Sequence, residues 1–201
     1  MLEVYDHLGD IDAVIFDLDD TLYPEKQYVR SGYKKIAEYL HEDVADRLWE
    51  LFEAKEPAID RCLEELGRTD EKDRCLEVYR SQKPDISLYP GTGELLLQIK
   101  RAGIDLGMIT DGRPEGQRAK LDALNLWQIF DRIIITDELG GISFRKPNPK
   151  AYELLAETFD VPFTRMAYIG DNISKDFVVP EEKGMKSIWV RNPEGIYAKQ
   201  D

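Results

Sequence analysis

Five short apolar runs punctuate the chain: AVIF (13–16), LGMIT (106–110), RIIIT (132–136), MAYIG (166–170) and SIWV (187–190). Each is too short for a helix and rich in isoleucine, valine or aromatics, and most end in Asp, Gly or Thr, which reads as buried strands meeting loops. Helical spacing fills the gaps between them. TGELLLQIKRAG (92–103) places Leu95, Leu96 and Ile99 on one face with Gly103 as a stop. RPEGQRAKLDALNL (113–126) has Pro114 in the first helical position, and NPKAYELLAETF (148–159) has Asn148 as N-cap with Pro149 just inside. Strands alternating with helices predict an α/β fold, a Rossmann-like parallel sheet covered by helices on both faces. Residues 25 to about 85 break the rhythm, because KQYVRSGYKKIAEYL, DVADRLWELFEAK and TDEKDRCLEVYRSQ carry helical spacing with no strand between them. An all-helical insertion after the first strand is therefore expected, placed to cover the carboxyl edge of the sheet.

A length of 201 residues suits one domain with a modest insertion, and an apolar fraction of 42% supplies a core. The net charge of −13 disfavours nucleic acid and anionic membranes as partners, so attraction of an anionic substrate has to be local. Cys62 and Cys75 form neither a paired framework nor a metal cluster and read as reduced thiols. The N-terminal MLEVYDHLGDIDAV has no basic segment followed by an apolar one, and no run is long enough to span a bilayer. A cytoplasmic protein is the expectation, as a monomer or a homodimer.

Polar clusters follow four of the strand-like runs: Asp17-Leu18-Asp19-Asp20-Thr21, Thr110-Asp111-Gly112, Lys146-Pro147, and Gly170-Asp171-Asn172 with Asp176 beyond it. Parallel strands point the same way, so these clusters converge on one edge. Three aspartates within four positions repel one another and need a positive partner. Carboxylates at that density suit a hard cation, and Mg²⁺ fits one or two carboxylates, a carbonyl, waters and a phosphate. Lys146 and Thr110 then read as phosphate holders.

DLDDT, ITDG, RKPNP and GDNISKD, in that order, resemble the four motifs of the haloacid dehalogenase-like (HAD) hydrolase superfamily, across residues 13 to 190. The resemblance implies a Rossmann-like core, 1–21 and 89–201, with a small helical cap over 22–88. It implies Asp17 as nucleophile, forming an aspartyl-phosphate, and Asp19 as the acid and base that serves the leaving group and then water. It implies Mg²⁺ on the side chains of Asp17 and Asp171 and the carbonyl of Asp19, with Asp176 orienting metal waters or Lys146. Thr110 and Lys146, with the backbone N–H groups of Leu18 and Asp111, are the implied phosphoryl contacts. Packing among other carboxylates is expected to raise the pKa of Asp19. Because relatives that cleave carbon–halogen bonds lack this second aspartate, Asp19 favours phosphate ester chemistry. The implied activity is a Mg²⁺-dependent phosphatase acting on a small phosphorylated metabolite. A hexose-phosphate type phosphomutase and a catalytically silent binding module are the alternatives.

Other positions read less sharply. Asp20 suits a turn or cap. Thr21 suits either a turn or a substrate contact, and Arg113 either a substrate anion or a helix flank. Tyr23, Tyr28 and Arg30 suit substrate contacts or helix packing, Trp49 and Phe52 suit the core of the insertion, and His7 and His41 are too isolated for histidine chemistry.

Overall fold

The computed structural model describes residues 9–193 and 195–196. His7 and the first residues of the expected core lie outside that range. The sheet is built from β1 (Ala13–Phe16), β2 (Asp105–Thr110), β3 (Arg132–Ile135), β4 (Met166–Gly170) and β5 (Lys186–Trp189), all parallel, in the order β3-β2-β1-β4-β5. β1 is buried throughout because each face carries its own hydrophobic layer. Val14 and Phe16 join Leu106, Met108, Leu96 and Ile99 on one side, while Ala13 and Ile15 join Ile109, Tyr152, Leu155 and Tyr168 on the other. That is the two-faced cover predicted from continuous apolar strands.

The strands differ from the expected spans by a residue or so. Thr136 leaves the strand and opens a 3₁₀ turn, Thr136–Leu139, and β5 lies one residue earlier than SIWV suggested. Helices α5 (Thr92–Arg101) and α6 (Pro114–Ala123) match the periodicity, with Pro114 leading α6. Helix α7 (Lys150–Phe159) is shorter at its start than expected, since Pro149 occupies the cap position. Asn148 still acts there, its Oδ1 accepting the Lys150 N–H at 2.9 Å.

Between β1 and α5 the chain forms α1 (Glu25–Leu40), α2 (Ala45–Glu53), α3 (Ala58–Leu66) and α4 (Lys72–Arg80). Three helical stretches were expected here and four are present. The extra one, α3, is bracketed by Pro57 and by Gly67 in the left-handed conformation, both ordinary boundary residues. Its face of Ala58, Cys62 and Leu63 packs with Val29, Tyr33, Ile36, Leu40, Leu48, Leu51 and Cys75 in a hydrophobic cluster separate from the sheet layers. Both cysteines are buried there as thiols, and burial pushes each thiol pKa up. Trp49 and Phe52 pack against the same cluster, with the Arg30 guanidinium 4.2 Å from the centre of the Trp49 ring. Among the described residues no helix is long and apolar enough to cross a membrane.

Candidate active site

Strand register sets the first residues of the site. Phe16, the last residue of β1, lies level with Met108 on one side and Ile169 on the other, so β2 runs two residues and β4 one residue past the end of β1. Asp17 continues the ladder by donating its N–H to the Ile169 carbonyl at 2.9 Å. Asp171 follows the last residue of β4, and Thr110 closes β2. After β4, Asn172 caps a single turn of helix, α8 (Ile173–Asp176), its Oδ1 accepting the Ser174 N–H at 3.1 Å. That turn brings Asp176 back under the strand end, where its Oδ2 accepts the Asn172 N–H at 2.9 Å. Gly170 leaves the room for it, since a β-carbon at that position would collide with the Asp176 carboxylate.

The result is a carboxylate triad. One ligand oxygen from each of Asp17, Asp171 and Asp176 lies within 4.8 Å of the others. Lys146 meets the triad with its side chain fully buried. Its ammonium lies 2.5 Å from Asp17 Oδ1, 2.8 Å from Asp176 Oδ1 and 3.0 Å from the Tyr168 hydroxyl, so all three donor protons have partners. Tyr168 in turn donates to Asp176 Oδ1 at 3.3 Å. Of the two residues expected to hold phosphate by side chain, Lys146 therefore faces the nucleophile position directly. Thr110 is buried at the end of β2, with its hydroxyl bound by the Gln117 side chain.

The Lys146 ammonium, with a smaller contribution from Lys175, does not balance three carboxylates at a largely buried site. Burial pushes the Asp17 pKa up to about 6, with Lys146 opposing the rise and Asp176 adding to it. Burial followed by the charges of Asp17 and Asp176 lifts Asp171 to about 7. Two oxygen-donor groups that hold protons this tightly, with a third carboxylate beside them, make a site short of positive charge. A hard divalent cation fits that donor set.

Asp19 departs from expectation. Burial is the largest single influence and would raise its pKa, but the Lys120 ammonium, lying 2.8 and 3.0 Å from its two oxygens, together with the hydrogen bonds from Lys120, Tyr23 and Gln117, outweighs it and holds the group below the usual carboxylate range. Tyr23 donates to it at 2.5 Å and Gln117 at 3.0 Å. The neighbouring carboxylates that were expected to raise it are outweighed. Gln117 and Lys120 sit three residues apart on α6, on its buried face, and Gln117 spans Asp19 and Thr110. These two residues were missed in the sequence. Their helical spacing puts them on one face, but nothing in it says that the face meets Asp19.

The remaining residues fall into supporting places. The Asp111 carboxylate accepts from Thr136 Oγ1 at 2.8 Å, from the Lys146 N–H at 3.1 Å and from Lys175 Nζ at 3.5 Å. Asp20 holds a left-handed turn (φ 54°) and accepts the Glu25 N–H at 3.0 Å, the turn-and-cap role read from sequence. Thr21 is buried, and its hydroxyl has no hydrogen-bond partner among the described residues. Tyr28 packs its ring 4.5 Å beneath the Lys120 ammonium and makes an edge contact with Tyr79, so it joins the helical insertion to α6. Glu25, at the first position of α1, is pushed up to about 8 by burial and by the charge of Asp19.

Comparison with known proteins gives the family and the fold. Residues 11–177 match the family model for haloacid dehalogenase-like hydrolase. A glyceraldehyde 3-phosphate phosphatase from Methanopyrus kandleri is 27% identical over 201 aligned positions, covering 90% of this chain and 84% of that protein. Among solved structures, a HAD-superfamily hydrolase of subfamily IA from Geobacter sulfurreducens superposes with a TM-score of 0.72 at 20% identity, over 92% of this chain and 89% of that one. The HAD-hydrolase YfnB from Bacillus subtilis, solved bound to magnesium, superposes with a TM-score of 0.65 at 18% identity, over 94% and 92%. With its parallel sheet, its motif residues gathered on one edge and a matched model across most of its length, the chain belongs to the haloacid dehalogenase-like hydrolase family.

Proposed function

We propose that the protein is a Mg²⁺-dependent phosphatase that hydrolyses a small phosphorylated metabolite through an aspartyl-phosphate on Asp17. The observation that carries this reading is the pairing of two different carboxylates at the end of β1. Asp17 sits in the triad beside Lys146, and Asp19 sits two positions on with separate partners. A dehalogenase has no leaving oxygen to protonate and no use for the second one.

In this reading Asp17 and Asp171, with the backbone carbonyl of Asp19, hold Mg²⁺, and Asp176 fixes Lys146. The cation supplies positive charge to the phosphoryl oxygens as negative charge spreads over them. Asp17 Oδ attacks phosphorus, the bond from phosphorus to the alcohol oxygen breaks, and Asp19 gives its proton to that oxygen. A phosphoryl dianion beside Asp19 raises its proton affinity from the depressed resting value, so the proton it needs is available once substrate is bound. Asp19 then takes a proton from water as that water attacks the aspartyl-phosphate, which releases inorganic phosphate and restores Asp17. On substrate binding Lys146 would exchange one of its present partners for a phosphoryl oxygen, and Thr110 with the N–H groups of Leu18 and Asp111 would hold the others. Residues 22–88 act as a cap that keeps bulk water from the intermediate, over a core of 1–21 and 89–201. The phosphatase relative from Methanopyrus kandleri supports the reaction class, and the magnesium in the YfnB structure supports the cation.

Phosphate release from p-nitrophenyl phosphate tests the reading. Turnover is expected with Mg²⁺ and not with EDTA, and Asp17→Asn lowers kcat by about 10³-fold or more. Equal turnover by Asp17→Asn, or turnover indifferent to chelation, contradicts it.

A further inference from the structure

Lys175 lies on α8 between Asp171 and Asp176, and the proposed reaction gives it no work. Its ammonium lies 3.5 Å from Asp111 Oδ2. Asp111 follows β2 and Lys175 follows β4, and β1 runs between those two strands. Neighbouring strands stand about 4.8 Å apart, so β2 and β4 are roughly 10 Å from each other. The contact therefore crosses the end of β1, where Asp17 sits. Asp17 is also the carboxylate that favours the Lys175 charge most, ahead of Asp111 and Asp176.

Two ammonium groups thus act on Asp17, and their surroundings differ. Lys146 is fully buried and bound to Asp17, Asp176 and Tyr168. The Lys175 side chain is 28% exposed, and its contact to Asp111 is at the long end of the hydrogen-bond range. Asp111 does not depend on that contact, because its Oδ1 accepts from Thr136 and from the Lys146 N–H. A turn of the Lys175 ammonium from Asp111 toward a phosphoryl oxygen therefore leaves the carboxylate bound. Burial and the Lys146 charge both work against the ammonium, yet the three carboxylates hold its pKa above the usual lysine value, so it is charged at neutral pH. The two like charges repel each other. An oxyanion placed between them relieves that repulsion and gains a charge-assisted hydrogen bond from each.

We propose that Lys175 is a second phosphate-binding cation of this site, meeting an oxygen of the phosphoryl group, and of the inorganic phosphate released, beside Lys146. The inference rests on the phosphatase reading and adds a residue to it. Lys175 makes this contact to substrate, aspartyl-phosphate and product alike, so it acts on binding more than on kcat.

Calorimetry on the full chain tests it, with inorganic phosphate and Mg²⁺ as the two probes and Lys175→Met as the variant. With Mg²⁺ present, phosphate should bind the variant about tenfold more weakly than wild type. Mg²⁺ titrated without phosphate should bind the variant as tightly as wild type or more so, because a like charge beside Asp17 is gone. A side chain that merely propped up the loops would lower both affinities together. Equal losses for the two probes therefore overturn the inference. Phosphate binding that is absent from wild type, or within about twofold of wild type in the variant, overturns it as well. Lys175→Gln, which keeps a donor toward Asp111 without the charge, is the second variant should the first not fold. On p-nitrophenyl phosphate the expected change is a KM about tenfold higher with kcat within about threefold, and a fall in kcat at unchanged KM contradicts it. Each of these failures leaves the phosphatase reading intact. Wild-type enzyme that releases phosphate from no ester defeats that reading instead, and the two binding titrations then decide the role of Lys175 by themselves.

Discussion

Burial raises the proton affinity of any carboxylate, and at Asp17 and Asp19 the ammonium facing each group decides how far the rise goes. Lys146 is shared between Asp17 and Asp176, so its charge is divided and Asp17 stays near 6. Lys120 faces Asp19 with both oxygens in reach, and the hydrogen bonds from Tyr23 and Gln117 add to it, so Asp19 falls below its usual range. Two carboxylates two positions apart are thereby suited to different work, one to attack phosphorus and the other to exchange protons. Lys120→Met removes the main charge that opposes burial at Asp19. Its proton affinity then rises, which favours the proton gift to the alcohol but leaves Asp19 protonated at higher pH when it must take a proton from water. With that second half-reaction limiting, the acidic limb of the kcat profile moves to higher pH and kcat on that limb falls by about 10-fold or more. A kcat–pH profile on p-nitrophenyl phosphate checks this, and an unshifted limb would mean that Lys120 does not govern Asp19.

Short, parallel, doubly buried strands are the elements a sequence declares best, and here they declare the site as well. Once AVIF, LGMIT and MAYIG are strands of one parallel sheet, Asp17, Thr110 and Asp171 follow at their ends by register alone. Lys120 and Gln117 were not legible in this way. They lie about a hundred positions from Asp19, and their place depends on how α6 packs across the strand ends. The packing of the helical insertion is a tertiary outcome too, governed by a few close approaches. Gly32 on α1 is one of them: a β-carbon there would meet the Tyr79 ring, and Gln82 Nε2 at 2.7 Å, where α4 crosses. Gly32→Ala should cost about 1–3 kcal/mol of stability through that overlap. Urea unfolding measures it, and a change below ~0.5 kcal/mol would show that the two helices part without strain.

The molecule as a whole carries a net charge of −13, so an anionic ester gains nothing from the global field and depends on the local positive charge at the sheet edge. The metal-free site also marks the stability curve. Asp171, raised from 3.8 to about 7, holds its proton more tightly folded than unfolded. Its contribution is therefore present in full below about pH 4 and is lost as pH rises through 7. Without metal, wild type should lose Tm relative to Asp171→Asn between pH 5 and 8, and added Mg²⁺ should raise the wild-type Tm more at pH 8 than at pH 5, because protons compete for the same oxygens. Differential scanning fluorimetry follows both trends, and a Mg²⁺ increment larger at pH 5 would contradict them. The central claim, that phosphorus passes through Asp17 under Mg²⁺, is tested most directly by trapping. Enzyme turning over substrate is quenched, reduced with borohydride and mapped by mass spectrometry. Homoserine at position 17, seen only with substrate and Mg²⁺ together, is the predicted result; an unmodified position 17 during active turnover would contradict it.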